Sequence, residues 1–243
     1  MRRYVIAVLV CVGLAFSASA FAQTVPGGGD KWVIMTYVEA DGCNTPVPLP
    51  ATKIKAGGVS FDLGPTPCSP DRAMLITDKQ FPAGKLTGRS LVARIAITAP
   101  VGTTFSYWDN DLGEWGAAAP GGFVRLYIAG VNPALVGCEP GWHPERPDCE
   151  AQYWWSNPLH IDLADLAALG TKGITLGALL DPANWSDRDG HTGIFDADHT
   201  LWFNAAVKNA TKMGLSFGGG GSWAFGVGAD PSAKFLLYDF TIK

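Results

Sequence analysis

Short runs rich in β-branched and aromatic residues recur along most of this chain, and clusters of Gly, Pro, Asn and Asp separate them. In Lys31–Val38 the even-numbered residues, from Trp32 to Val38, would lie on one face of an extended chain and the odd-numbered residues on the other face. This is the period of two of a β-strand. Turn-forming residues are abundant, with 30 Gly and 17 Pro. The other predicted strands are Val59–Leu63, Ala73–Thr77, Leu91–Thr98, Thr104–Trp108, Phe123–Ala129, Gln152–Trp155, Ile174–Leu180, Met213–Phe217, Trp223–Val227 and Phe235–Ile242.

One stretch, His199–Ala210, has the spacing of a helix. Its apolar residues, which include Trp202 and Phe203, recur at intervals of three and four, and Asp198 is placed to cap its first turn. Asp162–Leu169 predicts a further short helical turn. Many strands with almost no intervening helix favour two antiparallel sheets packed face to face. The predicted fold class is therefore all-β, an antiparallel two-sheet β-sandwich with one short helix near residues 199–210.

The beginning of the chain has the pattern of a secretory signal peptide. Arg2 and Arg3 precede the apolar run Tyr4–Phe16, and Ala20–Ala22 is a small-x-small cleavage pattern. The apolar run is too short to span a bilayer, and no later run is long enough to act as a membrane anchor. We therefore expect residues 1–22 to be removed before Gln23 and the protein to be secreted or periplasmic.

The remainder is long enough to bury a core without needing a metal ion to fold. We expect a flexible Gly-rich leader over residues 23–30 and a single β-sandwich domain over residues 31–243. The formal net charge is −4, and it becomes −6 once Arg2 and Arg3 leave with the signal peptide. Because the chain is acidic and has no cluster of Lys or Arg, nucleic acid and anionic membranes are not expected as partners. The oligomeric state is left open.

Cysteine usage agrees with export. One of the five cysteines lies in the signal peptide, and an even number remains: Cys43, Cys68, Cys138 and Cys149. In an oxidising compartment an even number predicts two disulfides. Of the three pairings, Cys43–Cys68 with Cys138–Cys149 is favoured because each would close a local loop rich in Pro and turn residues. A four-cysteine zinc site is disfavoured because the paired C-x-x-C spacing is missing.

An acidic, turn-rich segment predicts a cation site. Four aspartates lie close together there: Asp187, Asp189, Asp196 and Asp198. Closely spaced carboxylates can supply the several oxygen ligands that Ca²⁺ needs, so a structural calcium ion is the one cofactor considered. The spacing is not that of an EF-hand, since Gly190 comes too early and no Glu closes the loop. The alternatives are turn and cap roles for these aspartates, or a zinc site formed by His191, His199 and one aspartate.

No catalytic residue is predicted. Gly214–Gly218 matches the G-x-S-x-G pattern, but that motif must join a strand to a helix. Here a Gly-rich stretch and another strand-like run follow, and every histidine precedes Ser216 in the chain. The alternative interpretation is a Gly-rich strand and hairpin.

Tryptophans in loop-like settings are the features most indicative of a ligand. Flat apolar rings with polar neighbours suit sugar recognition, because the C–H-rich face of a sugar packs on the ring while its hydroxyls form hydrogen bonds. Trp154 and Trp155 are neighbours in a predicted strand and so point to opposite faces, which leaves one of them available. The predicted ring platforms are Trp115, Trp142 and Trp155, whereas core filling is the preferred role for Trp32, Trp202 and Trp223.

Four segments carry a resemblance to a known class of protein: Gly88–Ile95, Leu180–Trp185, Gly214–Gly219 and Phe235–Ile242. Over roughly residues 88–243 the chain resembles secreted bacterial β-sandwich proteins with a galactose-binding-like jelly roll, the architecture of many carbohydrate-binding modules. The resemblance implies a jelly-roll-like sandwich and a polysaccharide or cell-envelope glycan as partner. No binding residue is carried over from it.

The leading functional hypothesis is an exported, non-catalytic carbohydrate- or cell-envelope-binding protein. The second is a structural or adhesive extracellular protein whose exposed aromatic residues make protein contacts. The third is a polysaccharide-cleaving enzyme on a jelly-roll scaffold, which would need a cluster of carboxylate, His or Tyr side chains in one groove.

Overall fold

The structure is a computed structural model that describes residues 23–24, 32–35, 49–50, 52–53, 58–64, 74–77, 86–109, 114–116, 122–130, 153–187, 189–219 and 226–243. The predicted signal peptide lies outside the described residues, as do the four cysteines of the expected disulfides, Cys43, Cys68, Cys138 and Cys149, and the tryptophan Trp142. The signal peptide, the two disulfides and the role of Trp142 therefore remain predictions.

The described chain is built mainly of strands. They are β1 (Gln23–Thr24), β2 (Val33–Met35), β3 (Leu49–Pro50), β4 (Thr52–Lys53), β5 (Val59–Leu63), β6 (Met74–Thr77), β7 (Ser90–Thr98), β8 (Thr104–Asp109), β9 (Glu114–Gly116), β10 (Phe123–Gly130), β11 (Tyr153–Asp162), β12 (Ile174–Leu179), β13 (Trp185–Ser186), β14 (Ala210–Gly218), β15 (Val227–Asp230) and β16 (Ala233–Ile242). Two α-helices, α1 (Leu163–Ala168) and α2 (Ala197–Lys208), and two 3₁₀ turns, Gly170–Lys172 and Pro182–Asn184, complete it. None of the helices in the described ranges is long and apolar enough to cross a membrane.

The strands form two large antiparallel sheets and one small one. The first sheet has the order β12-β7-β16-β5-β4, with β1 also paired to β16. The second has the order β13-β11-β10-β14-β6-β2-β3, and a three-stranded sheet has the order β15-β8-β9. The predicted all-β, antiparallel architecture is confirmed, although the small third sheet was not anticipated.

The period of two determines which side chains enter the core. In β10 the side chains of Val124, Leu126 and Ile128 are buried, and in β14 the same holds for alternate residues from Met213 to Phe217. The facing sheet contributes Phe61 and Phe235, whose rings lie 5.5 and 4.9 Å from that of Phe217. The two large sheets therefore pack face to face over one apolar core, which is the defining feature of a β-sandwich.

Helix α2 begins earlier than the sequence predicted. The predicted start at His199 with Asp198 as cap is wrong, since the helix begins at Ala197 and Asp196 is its N-cap. The side chain of Asp196 accepts a hydrogen bond from the backbone N–H of His199 at 2.8 Å. The predicted turn after Asp162 is confirmed as α1, which Asp162 caps by accepting the N–H of Ala164 at 2.7 Å.

Helix α2 lies directly against the end of β10 and β11. A side chain at Gly130 would place its Cβ 2.0 Å from the carbonyl oxygen of Ala206, so only glycine allows this approach. One helical turn earlier, Phe203 is fully buried and meets the edge of Trp154 at 5.1 Å. These contacts fix the position of the first turn of α2, on which the candidate site depends.

Several short strands of the described chain, β3, β4 and β9 among them, were not predicted or differ from prediction. Gln23 and Thr24, placed in a flexible leader by the sequence, pair with Ile242 and Thr241 of β16. The predicted strand Trp223–Val227 falls mostly outside the described residues, and β15 begins at Val227. The two-residue strand β13 is too short to give a recognisable period, and it is the strand that leads into the site.

Candidate functional site

A tight turn after β13 places the carboxylate of Asp187. The backbone N–H of Asp187 donates to the carbonyl of His191 at 2.9 Å, and Gly190, at φ +83°, reverses the chain between them. Oδ1 of Asp187 accepts the backbone N–H groups of Asp189 and His191 at 3.0 and 2.9 Å. Because both donors lie on Oδ1, the second oxygen, Oδ2, is directed away from the turn.

The first turn of α2 supplies an imidazole to the same place. His199 follows the N-cap Asp196 by three residues, and its Nδ1 lies 2.7 Å from Oδ1 of Asp196. Nδ1 therefore carries the proton that Asp196 accepts. This contact holds the ring so that Nε2 faces Oδ2 of Asp187 at 3.3 Å.

His191 completes a cluster of three residues, Asp187, His191 and His199, which we name the Asp187 cluster. Nδ1 of His191 lies 3.8 Å from Oδ2 of Asp187, and the three ligand atoms all lie within 4.8 Å of one another. The side chains of Asp187 and His199 are 6% and 10% exposed, whereas that of His191 is 40% exposed. The cluster is therefore a half-open site that can be reached from the His191 side.

Burial raises the pKa of Asp187 above its ordinary value, against the opposing effects of the N–H of His191 and of positive charge on His191 and His199. The pKa of Asp196 is lowered, first by the hydrogen bond from the backbone N–H of His199 and then by its ring. Burial thus disfavours the ionised form of Asp187 in the folded protein.

Replacing Asp187 should change the pH dependence of stability in the metal-free protein. A raised folded pKa means that this carboxyl contributes stability below its unfolded pKa and loses it as the pH rises through the folded pKa. Asp187→Asn keeps an oxygen for the two N–H donors and removes the charge. We expect its Tm in chelator to exceed that of the wild type at pH 7 and the difference to disappear toward pH 3.

The matched control is Asp189→Asn, an exposed carboxylate in the same turn. Its thermal unfolding profile from pH 3 to pH 8 should follow that of the wild type. Identical profiles for Asp187→Asn and the wild type would contradict the account of Asp187.

The four predicted calcium ligands do not form one set of oxygen ligands. Among the residues that the structure describes, the grouping with metal-ligand spacing contains Asp187 but not Asp189, Asp196 or Asp198. Asp196 instead caps α2 and orients His199, while Asp189 and Asp198 are exposed. The donor set that comes together is two nitrogens and one oxygen, which is the composition of the zinc alternative.

An exposed aromatic ring packs against the two imidazoles of the cluster. The ring of Phe195 lies 4.2 Å from that of His191 at an interplanar angle of 34°, and the edge of His199 approaches it at 5.0 Å. Phe195 is nevertheless 60% exposed, although His191 and His199 both contact its ring. We call the free side of this ring the Phe195 face. The apolar side chains of Ile194 and Leu201, close to Phe195 in sequence, are also exposed.

Sequence reasoning missed Phe195. The signal that could have found it is an apolar pair, Ile194–Phe195, standing in a polar turn immediately before a helix cap. Such a residue has no strand or helix face to direct it into the core.

Trp155 is not an exposed platform in this structure. It is 5% exposed, its Nε1–H donates to Oγ of Ser216 at 3.0 Å, and its ring lies 5.5 Å from that of Tyr127. Trp154 points to the opposite face of the sheet and is fully buried. The prediction that the two rings point to opposite faces is therefore correct, whereas the prediction that the ring of Trp155 is exposed is wrong. The period of two assigns faces, but it does not show what covers each face.

The other tryptophans differ in how deeply they are buried. Trp32 is buried in the core, as predicted, and Trp202 is partly buried and packs against that core. Trp115 lies in β9 directly opposite Trp108 of β8. The platform role of Trp115 remains a prediction, as does that of Trp142, which lies outside the described residues.

Ser216 is not placed as a nucleophile. It lies inside β14 rather than at a strand-to-helix turn, and its hydroxyl is buried where it accepts the Trp155 N–H. This agrees with the rejection of a serine-hydrolase site.

No known family matches the sequence, and no curated protein matches it. Two solved structures are similar in fold. One is a mutant of xylanase 10C from Cellvibrio japonicus in complex with xylopentaose, with a TM-score of 0.43 and 14% identity over 91% of this chain and 28% of that chain. The other is the xylan-binding module CBM15, with a TM-score of 0.40 and 14% identity over 89% of this chain and 95% of that chain.

Proposed function

We propose that this protein is an exported, non-catalytic polysaccharide-binding β-sandwich protein, and that a sugar ring packs on the Phe195 face. The observation that supports it is an aromatic ring that packs against His191 at 4.2 Å and is still 60% exposed. A ring fixed in this way loses little conformational entropy when it binds. The apolar C–H face of a pyranose or furanose suits it better than water does.

Polar groups close to Phe195 in sequence provide partners for sugar hydroxyls. The exposed carboxylates of Asp196, the N-cap of α2, and Asp198, in its first turn, follow Phe195, and the exposed Asp189 lies in the turn that follows β13. Carboxylates accept hydrogen bonds from hydroxyl donors, which an apolar ring cannot do. A neutral or weakly basic glycan suits this acidic rim better than a polyanionic one.

Export is part of the same proposal. It is supported by the signal-peptide pattern of residues 1–22 and by the even number of cysteines that follow these residues. A polysaccharide ligand of the cell envelope or the surroundings would be met in that compartment.

Removing the ring should weaken binding without unfolding the protein. For Phe195→Ala we expect at least about a tenfold loss of affinity for the retained polysaccharide, which corresponds to about 1.4 kcal/mol or more of binding free energy. Phe195→Trp should retain binding, because it preserves a flat apolar face. The measurement is affinity electrophoresis in gels containing xylan, cellulose derivatives, mannan, β-glucan or peptidoglycan fragments.

Val101→Ala is the matched control, since Val101 is an exposed apolar residue in a turn between β7 and β8. It should migrate as the wild type does. Retention that survives Phe195→Ala but is lost in Trp115→Ala would move the site to β9. No retention on any polysaccharide would contradict the proposed function.

The exposed apolar side chains also favour a second candidate, adhesion through protein contacts. Ile194, Phe195 and Leu201 together resemble the apolar part of a protein interface. This candidate predicts self-association in the absence of sugar, measured by light scattering as a concentration-dependent mass. Leu201→Lys should abolish that association, whereas sugar binding at Phe195 should tolerate the change.

A further inference from the structure

We propose that Asp187, His191 and His199 bind a divalent transition-metal ion, zinc above all, which ties the turn after β13 to helix α2. The site is independent of the polysaccharide proposal, because it rests on the ligand geometry of the Asp187 cluster and not on the Phe195 face. Its ligands are Oδ2 of Asp187, Nδ1 of His191 and Nε2 of His199.

The first argument is the way in which the ligand atoms face one another. Nδ1 of His199 lies 2.7 Å from Oδ1 of Asp196, which leaves Nε2 as the ring atom that faces Asp187. Nε2 lies 3.3 Å from Oδ2 of Asp187, a carboxylate oxygen that can coordinate a metal ion. Either a proton or a metal ion can lie between these two atoms. A proton would join one pair of atoms, whereas a metal ion would also engage His191.

The second argument is distance. A tetrahedral zinc ion with bonds of about 2.0–2.1 Å separates its ligand atoms by about 3.3 Å. The Asp187–His199 pair already has a separation of 3.3 Å, and the Asp187–His191 pair has one of 3.8 Å. All three ligand atoms lie within 4.8 Å of one another, so the more exposed imidazole, His191, has to move inward.

The third argument is that hydrogen bonds orient two of the ligand side chains. Metal-bound imidazoles commonly donate their other N–H to a carboxylate, and Asp196 accepts that bond from His199. Oδ1 of Asp187 is held by two backbone N–H groups, which leaves Oδ2 as the ligand atom. Both ligands are therefore oriented before any ion arrives.

The donor set also selects the class of metal. Calcium takes six to eight oxygen ligands, whereas two imidazoles and one carboxylate suit zinc and its neighbours in the first transition row. We therefore expect calcium not to compete with zinc at this site.

The experiment is a zinc titration of the untagged protein after removal of metal with a chelator and dialysis. Isothermal calorimetry should give one zinc per chain, and elemental analysis after dialysis should retain it. His191→Ala and Asp187→Asn should each weaken zinc binding by at least about 100-fold. His160→Ala is the matched control, because His160 is an exposed imidazole that packs on Phe123 away from the cluster. It should bind zinc as the wild type does.

Cobalt provides a second readout that depends on coordination. Co²⁺ in place of zinc should give the intense visible absorption of a four-coordinate ion, and His191→Ala should abolish it. The proposal is overturned if zinc binds more weakly than about 10 μM, if both variants bind it like the wild type, or if a 100-fold excess of calcium displaces it. Each outcome is read without any polysaccharide, so failure of sugar binding leaves this result untouched.

Discussion

Saturating zinc should raise the free energy of unfolding of this protein by about 2.7 kcal/mol at a concentration 100 times its dissociation constant. The reason is that the ligands come from a turn and from a helix, and they are brought together only in the folded chain. Asp187 and His191 flank the turn after β13, while His199 lies in the first turn of α2. For a protein of this length that energy corresponds to a rise in Tm of about 5–10 °C. Differential scanning calorimetry with and without zinc measures it.

The variants separate metal binding from folding. Asp187→Asn should lose the rise in Tm with zinc although its metal-free Tm at pH 7 exceeds that of the wild type. His160→Ala should keep the full rise. A rise in Tm of equal size in Asp187→Asn would show that zinc stabilises the protein elsewhere.

Phe203→Ala should be the most destabilising of the substitutions considered, at about 3–5 kcal/mol. Its ring is fully buried, contacts the edge of Trp154 at 5.1 Å and lies 6.3 Å from Trp185. Removing it leaves a cavity beneath α2, the helix that carries His199. We therefore expect weaker zinc binding together with the loss of stability, because His199 loses its fixed position.

Leu201→Ala is the control for that substitution, because Leu201 lies on the same helix and is exposed. It should change the free energy of unfolding by no more than about 0.5 kcal/mol. Urea titrations of both variants make the comparison. Equal costs for Phe203→Ala and Leu201→Ala would contradict the packing of α2 described above.

Much of the sheet structure could be predicted because its cause is local. Runs such as Phe123–Ala129 and Phe235–Ile242 alternate between core and outer face, and they became β10 and β16 with nearly the same bounds. The short strands β9 and β13 could not be found in this way. They pair because the longer strands β8 and β11 lie beside them, which is a tertiary effect.

The start of α2 could not be predicted because two aspartates near it are both suitable N-cap residues. Asp196 and Asp198 have the same chemistry, and only the structure shows that the carboxylate of Asp196 reaches the N–H of His199. The same carboxylate also contacts the ring Nδ1 of His199 at 2.7 Å and so orients this imidazole. A count of aspartates in the sequence favoured calcium, whereas our zinc proposal rests on the side-chain positions of Asp187, His191 and His199.

Exposure of aromatic rings was the least predictable property. Trp155 lies on the outer face of its sheet, as the period of two requires, yet it is buried against Tyr127 and Ser216. Phe195 is exposed because it stands in a turn, where no strand face directs it inward. Sequence patterns assign a residue to a face, and exposure depends on every segment that packs over that face.

Retention of the protein in polysaccharide-containing gels, compared with Phe195→Ala in the same gels, tests the central claim most directly. We predict that the wild type is retarded by one class of polysaccharide and that Phe195→Ala migrates freely while its Tm stays close to that of the wild type. Free migration of the wild type in every gel would contradict the claim that this protein binds polysaccharide.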